Sequence, residues 1–307
     1  MSAPLTCAVM ITTRNRREDL ARTFAVLRTL QPAPDEVLVC ADGCTDGTVE
    51  FIREQHPGVR LIVHEQGRGS IPSRNEMAAA ATCDIFVSLD DDSYPIEADA
   101  IARIRELFEK NPRLAIAAFP QRSDEDPATL SAQDFGTAKF AGSYANCSAA
   151  IRTSVFKSLG GYPDFFFHMY EEPDFALRCT SAGWQVRFEP CVTVRHHFSA
   201  VGRNEIRIHH LHSRNELWSV LLRCPMPQLL AVAPFRAWRQ FRYACQRGWS
   251  WVWREPRWWW QFFGGIFRCL RARHALPWPS YRAWMELLRK PIESEREWLE
   301  KFAAGAD

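Results

Sequence analysis

Between residues 5 and 119, short apolar runs of strand length alternate with amphipathic stretches of helical spacing. Cys7–Thr12 reads as a strand, and Arg16–Leu30 as a helix with Leu20, Phe24 and Leu27 along one face. The pair repeats as Val37–Cys40 with Thr48–Gln55, and again as Leu61–Val63 with the alanine-rich stretch Ser73–Ala81. Ile85–Leu89 precedes a helix over Ala98–Lys110 that Asn111-Pro112 closes, and Leu114–Phe119 is a fifth strand. This alternation predicts an α/β fold: a mostly parallel sheet with helices on both faces. Sheets of that kind bind ligands beyond the carboxyl ends of their strands.

Past residue 119 the pattern loosens. Residues 120–146 lack periodicity and read as a loop-rich excursion. Cys147–Ile151 reads as a strand, followed by a helix to Leu159 and the turn Gly160-Gly161. A helix over Pro173–Ala182 ends at Gly183, a residue suited to the left-handed C′ position. Trp184–Phe188 and Val192–Phe198 are strand-like, and Glu205–Arg223 is a helix stopped by Pro225. Beyond it, Pro227, Pro234, Pro256, Pro277, Pro279 and Pro291 are expected to cut the chain into short helices. The reading is a domain over 1–222, in halves 1–119 and 120–222, followed by a helical extension over 223–307.

Composition sharpens that division. The chain has 307 residues, 47% of them hydrophobic, enough for a sizeable core, and a net charge of only +2. The charge is unevenly spread: Cys224 to Lys290 holds twelve Arg or Lys against two Glu, and ten of the twelve tryptophans lie beyond Cys224. Tryptophan and arginine at this density fit a membrane interface, with rings at headgroup depth and cations on anionic lipid. Helices that pack Trp on the core and turn Arg outward are the competing reading, and a nucleic-acid surface is the least favoured. The ten cysteines form no CxxC pair, which suits a reducing compartment. Leu5–Thr12 is too short for a signal segment, and no apolar run reaches the ~18 residues of a membrane span. The expected location is the cytoplasm, with peripheral attachment to the cytosolic face of the membrane through 223–290.

The chemistry concentrates where Ile85–Leu89 runs into Asp90, Asp91 and Asp92. Consecutive carboxylates on a strand end repel one another and call for a cation. Hard oxygen ligands favour Mg²⁺ or Mn²⁺, shared with a phosphate-bearing ligand; a solvated acidic turn is the plain alternative. Thr12-Thr13-Arg14-Asn15-Arg16 and Ala41-Asp42-Gly43-Cys44-Thr45-Asp46-Gly47 fall on the same predicted edge. Asp42 suits a base imide or ribose hydroxyl, or simple Asx-turn chemistry.

These segments, with Gly67-Arg68-Gly69 and Ser73-Arg74-Asn75 between them, resemble the N-terminal half of glycosyltransferase family 2. The second half continues the likeness. Asn146–Ile151 with Gly160-Gly161-Tyr162 is similar to the acceptor-side segment. Tyr170-Glu171-Glu172-Pro173-Asp174-Phe175, with Arg178 and Gly183-Trp184, is similar to the family's acidic catalytic pattern. The resemblance covers about residues 5–222 and implies a Rossmann-like GT-A fold that transfers a hexosyl or deoxyhexosyl group from a nucleoside-diphosphate sugar with inversion. The donor half is then 1–119, and the acceptor and catalytic half 120–222.

Carried over by position, the resemblance places Thr12 and Arg14 at the nucleobase, Asp42 on its imide, and Arg68 near the nucleotide. Asp90 faces the ribose and shares the metal with Asp92, while Asp91 sits beside the donor. Glu172 aligns with the family's usual aspartate base, with Glu171 its neighbour; an acidic helix N-terminus is the alternative for this pair. Asp174 and Trp184 fall on the acceptor side, Asp174 supporting the helix start or orienting Arg178. His196 and His197 point to opposite faces of a strand, and His197 is assigned to the metal, with His209, His210 and His212 outside it. The implied partners are a UDP- or dTDP-sugar and a glycan or lipid-linked acceptor. A non-catalytic nucleotide-sugar-binding protein is the runner-up. A sugar-phosphate nucleotidyltransferase is disfavoured, because the first strand leads into Thr-Arg-Asn-Arg and not a glycine-rich loop.

Overall fold

A computed structural model describes residues 3–197 and 204–302. Four strands, β1 (Cys7–Thr13), β2 (Glu36–Asp42), β3 (Arg60–His64) and β4 (Ile85–Asp90), run parallel at the heart of the donor half. They alternate with α1 (Arg17–Leu27), α2 (Thr48–Gln55) and α3 (Ser70–Ala80). After β4 come β5 (Ser93–Pro95), α4 (Ala100–Lys110), β6 (Leu114–Ala118), β7 (Gln121–Ser123), β8 (Lys139–Phe140) and β9 (Ala149–Arg152). Then follow α5 (Thr153–Ser158), α6 (Glu171–Ser181), β10 (Gln185–Phe188), β11 (Val194–His196) and α7 (Glu205–Arg223).

The eight-stranded sheet has the order β3-β2-β1-β4-β9-β6-β10-β8, and β5-β11-β7 form a small second sheet. Strand β9 is antiparallel to both β4 and β6, so β6 and β10 point the same way as β1–β4. The interior strands β1, β4 and β6 are buried almost throughout, as strands covered on both faces must be. One apolar cluster joins Leu20, Phe24, Ile101, Ile104 and Phe108 to one face; a second, on the other face, joins Ile71, Met77, Phe156 and Phe175. The predicted mostly parallel α/β architecture with a helical extension is what is found.

Several boundaries move, each for a local reason. Helices α3 and α6 start three and two residues before the expected Ser73 and Pro173, because Pro72 and Pro173 occupy the first turn, where a missing N–H costs nothing. The supposedly loop-like 120–146 contains β7, a 3₁₀ turn over Pro127–Ser131 and β8. These strands are only three and two residues long and lean on neighbours, so they carry no periodic signal. Of the strand expected over Val192–Phe198, β11 is formed, and Phe198 lies outside the described residues.

The extension folds as α8 (Leu229–Arg247), α9 (Trp249–Val252), α10 (Pro256–Arg271), α11 (Trp278–Leu287) and α12 (Glu295–Phe302). Pro234 does not end a helix: it lies inside the nineteen-residue α8. Trp258, Phe262 and Cys269 of α10 join the same cluster as Phe156 and Phe175, and Trp218 Nε1 donates to Phe262 O at 3.1 Å. Gly265 lets α10 approach Trp218 so closely that a Cβ there would collide with the indole. Trp284 and Trp298 are fully buried beside Phe140, which ties α11 and α12 to β8.

Candidate active site

The parallel register brings polar residues together at the carboxyl edge. Thr12 lies opposite Asp90 on one side and Cys40 on the other, and Asp42 lies opposite His64. Asp42 is buried, with Arg68 N and Gly69 N donating to its two oxygens at 2.8 Å each and His64 Nδ1 2.7 Å away. Burial opposes its ionisation, but these donors outweigh it and hold the carboxyl below the usual range. The residue expected to read a base therefore also pins the loop before α3 to the end of β2. Gly69 has φ +101°, and a Cβ there would collide with the Phe167 carbonyl, so this crossing admits only glycine. Arg14 lies over the backbone of Gly67, and the Arg68 side chain is exposed, reaching Glu76 at 3.8 Å.

The three aspartates divide into three environments. Asp90 Oδ1 accepts from Arg74 Nη2 at 2.5 Å. Arg16 Nη1 bridges the other two, 3.2 Å from Asp91 Oδ1 and 2.9 Å from Asp92 Oδ2. Asp91 is buried, which pushes its carboxyl up to about 7 against the pull of Arg16 and with the help of Asp92 and Asp90. Its main-chain carbonyl accepts from Thr23 Oγ1 at 2.7 Å. Asp91, expected beside the donor, thus lies under the start of α1 as a support. Asp92 Oδ1 is buried and accepts no hydrogen bond.

The histidine assignment is reversed. His197 turns away to Tyr94 Oη at 2.8 Å and Asp124 at 3.6 Å. His196 faces the triplet instead, with Nε2 3.4 Å from Asp92 Oδ1, and its other ring nitrogen is buried without a partner. Burial would lower its pKa, but Asp92 and Asp90 raise it overall. Ligand atoms of Asp90, Cys147 and His196 lie within 4.8 Å of one another. Register explains the reversal: β11 places His196 opposite Ser93 of β5, and the next residue falls on the other face.

Across the cleft, α6 begins after a tight loop in which Phe167, Met169 and Tyr170 all have positive φ. Such backbone costs about 1–2 kcal/mol per residue. It is held from α7, where Asn215 Nδ2 lies within 3.1 Å of the carbonyls of Phe166, His168 and Met169. Glu171 points inward: Asn146 Nδ2 donates to Oε1 at 3.1 Å, Arg74 Nη1 lies 3.9 Å from it, and Oε2 is buried without a partner. Glu172 is partly exposed, with Asn146 N donating to Oε1 at 3.5 Å. Desolvation and the neighbouring Glu171 push its carboxyl well above the usual range. A continuous polar chain, Asp90–Arg74–Glu171–Asn146–Glu172, therefore links the two sides.

Of the two residues expected on the acceptor side, Asp174 takes the supporting role toward Arg178 that was expected of it, and Trp184 sits elsewhere. Asp174 is fully buried, with Arg178 Nε at 3.0 Å, Ser219 Oγ at 2.8 Å and Arg223 Nε at 3.0 Å, so it bolts α6 to α7. Burial opposes its charge, but Arg223 and Arg178 prevail and keep the carboxyl low. Trp184 precedes β10, whose direction places it at the amino edge of the sheet, opposite the site. Sequence reasoning passed over Arg16, Asn146 and His196 as site residues and gave Arg74 only a place in a helix. Arg16, Arg74 and Asn146 lie inside the segments that carried the resemblance, which was the available signal; His196 lies outside them.

Comparison with known proteins agrees with this fold. The family model "Glycosyl transferase family 2" matches residues 8–175. A pre-mycofactocin glycosyltransferase of Mycobacterium tuberculosis is 27% identical over 61% of this chain and 42% of its own length. The O-antigen chain rhamnosyltransferase WbaN of Salmonella anatum is 24% identical over 57% of this chain and 60% of its own. The chain thus spans less than two thirds of either relative. Among solved structures, the mannosyltransferase PcManGT of Pyrobaculum calidifontis, in complex with GDP-Man and Mn²⁺, superposes with a TM-score of 0.56. It is 18% identical over 99% of this chain and 88% of its own.

Proposed function

The chain belongs to glycosyltransferase family 2, and from that premise we propose that it transfers a glycosyl group, with inversion, from a nucleoside-diphosphate sugar to an acceptor hydroxyl. The carrying observation is the Asp90–Arg74–Glu171–Asn146–Glu172 chain, which couples the donor carboxylates to one partly exposed, raised carboxylate. Glu172 accepts the acceptor hydroxyl proton. The oxygen then bonds to the anomeric carbon as the bond to the diphosphate oxygen breaks, and the diphosphate leaves with the electron pair. A raised pKa suits a base that must release its proton again near neutral pH. Glu171, tied to Arg74 and Asn146, fixes the start of α6 and thereby the position of Glu172.

A divalent cation, Mn²⁺ or Mg²⁺, fits the donor set. Asp92 Oδ1, whose only near partner among the described residues is His196, together with Asp90 and His196 itself, offers oxygen and imidazole ligands, while burial holds the Cys147 thiol protonated. When bound it would offset charge on the leaving diphosphate. At the base end, Thr12, Arg14 and Asp42 meet an imide-bearing base in this reading, with Arg68 at the rim, which favours a UDP- or dTDP-sugar. The acceptor is a glycan or a lipid-linked glycan, met at the cytosolic membrane surface. That reading is supported by the exposed stripe Trp260, Phe263, Phe267 and Leu270 on α10, beside Trp249 and Trp253. Among the described residues no helix is long and apolar enough to cross a membrane.

The test is release of nucleoside diphosphate from a panel of nucleotide sugars with Mn²⁺. Turnover by the wild type and its loss in Asp92→Ala are expected; failure of every nucleotide sugar to bind, with or without metal, refutes the reading.

A further inference from the structure

Beside the loop that leads into α6, a pocket of about 600 Å³ opens between the start of α7 and the α9–α10 corner. Its volume falls in the range of small-ligand sites. Arg207, Arg214, Arg254 and Arg257 line it together with His210 and Gln261. Among the described residues none of these four guanidiniums has a carboxylate partner. Arg214 is buried, yet its hydrogen bonds go only to neutral groups: Asn215 Oδ1 at 3.0 Å, Gln261 Oε1 at 3.3 Å and Phe166 O at 2.9 Å. A buried charge without a counter-ion is costly, and burial pushes this guanidinium down to about 10. His210 is 7% exposed, and its Nε2 is buried with no hydrogen-bond partner. Four unpaired arginines around an unsatisfied imidazole make a site that lacks an anion. Arginine forks match phosphate oxygens in shape and charge.

Position narrows the ligand. Phe167, one wall of the pocket, belongs to the strained loop that sets Glu172, and Arg214 holds that loop through the Phe166 carbonyl. An anion seated here therefore lies next to the acceptor side of the cleft. On the outer side Arg254 and Arg257 stand between the exposed Trp253 and Trp260, which are 71% and 81% exposed. We propose that this pocket binds the phosphate or diphosphate group of the acceptor, a proposal that rests on the glycosyl-transfer reading above.

The experiment uses the full chain in EDTA, so that no cation can bridge a probe to the aspartates. Farnesyl diphosphate, inorganic diphosphate and farnesol are titrated calorimetrically into wild type and an R254E/R257E variant. Both substituted side chains are exposed, and an unchanged melting temperature verifies folding. Diphosphate binding by the wild type, weakened roughly tenfold or more by the charge reversal, is expected, with farnesol indifferent to it. Preference for farnesyl over inorganic diphosphate assigns a lipid-linked acceptor, and equal affinity a soluble phosphorylated one; either supports the proposal. No diphosphate binding, or binding that the variant leaves intact, overturns it. Nucleotide-sugar hydrolysis with Mn²⁺ is measured in parallel: its persistence while diphosphate binding fails removes the pocket alone. Failure of every nucleotide sugar to bind, with or without Mn²⁺, to a wild type that binds diphosphate removes the glycosyl-transfer reading instead.

Discussion

Helices α4 and α8 are built on opposite plans. Helix α4 buries Ile101, Ile104 and Phe108 against the sheet and turns Arg103, Glu106 and Lys110 to water. Helix α8 buries Arg236 and Gln240 and exposes Phe235, Trp238 and Phe241. The first is held by apolar burial. The second is held by a polar clamp: Glu216 of α7, fully buried, receives Arg236 Nη1 at 2.9 Å, and also Arg239 and Gln240. Helix α10 stands between the two plans, with Trp258 and Phe262 packed on α7 and Trp260, Phe263 and Phe267 facing out. A helix that places Arg236 inside and its rings outside is suited to a medium less polar than water. The donor half needs no such medium.

The contrast can be broken at several points. Within the α/β half, Glu172→Gln is expected to keep donor binding and lose about 10²–10⁴ in transfer rate, read as kcat beside a nucleotide-binding isotherm. Because the Glu172 carboxyl is raised, its ionised fraction grows with pH above the ordinary carboxylate range. The wild-type kcat/KM should therefore climb through that raised pKa, and the limb should vanish in the variant. Full activity of Glu172→Gln would move the base elsewhere.

Two buried clamps come next. Asp174→Asn strips both Arg178 and Arg223 of their counter-ion and should cost about 3–5 kcal/mol in chemical denaturation. The sign follows from the lowered pKa. The Asp174 contribution is complete above the unfolded carboxylate value near ~3.9 and disappears as pH falls through the lower folded value, so the wild type should lose it only in strong acid. Glu216→Gln should cost a similar ~3–5 kcal/mol, but by loosening α8, with the donor affinity retained. Equal loss of donor affinity would show that the two regions do not differ as argued.

The smallest stability effect belongs to the outer rings. Replacing Trp249, Trp253 and Trp260 by Ser should leave the unfolding free energy within about 0.5 kcal/mol per site while abolishing flotation with anionic liposomes. Flotation that persists would detach the aromatic face from membrane binding.

Much of the donor half was legible because its signals are local and periodic. Thr48–Gln55, and beyond that half Glu205–Arg223, fall where the pattern put them, and Asp90–Asp92 stand at the end of β4. What escaped was whatever depends on partners far along the chain. Asp174 was legible as the partner of Arg178, but its second arginine, Arg223, forty-nine residues on, was not. The choice between His196 and His197 turned on a three-residue strand paired with Ser93, and no periodicity exists over so short a run. Prolines misled in the extension, since Pro234 is tolerated inside an exposed helix.

By itself, then, the sequence determined the alternation of strands and helices, the edge at which ligands bind and the residue types gathered there, because backbone preference and amphipathic period act over a few neighbouring residues. Only the tertiary structure decided which carboxylate is free and which is clamped. It also decided which histidine faces the aspartates, and that α8 turns Arg236 inward and its rings outward. These outcomes depend on desolvation and pairing, and both are set by groups that meet only once the chain has folded.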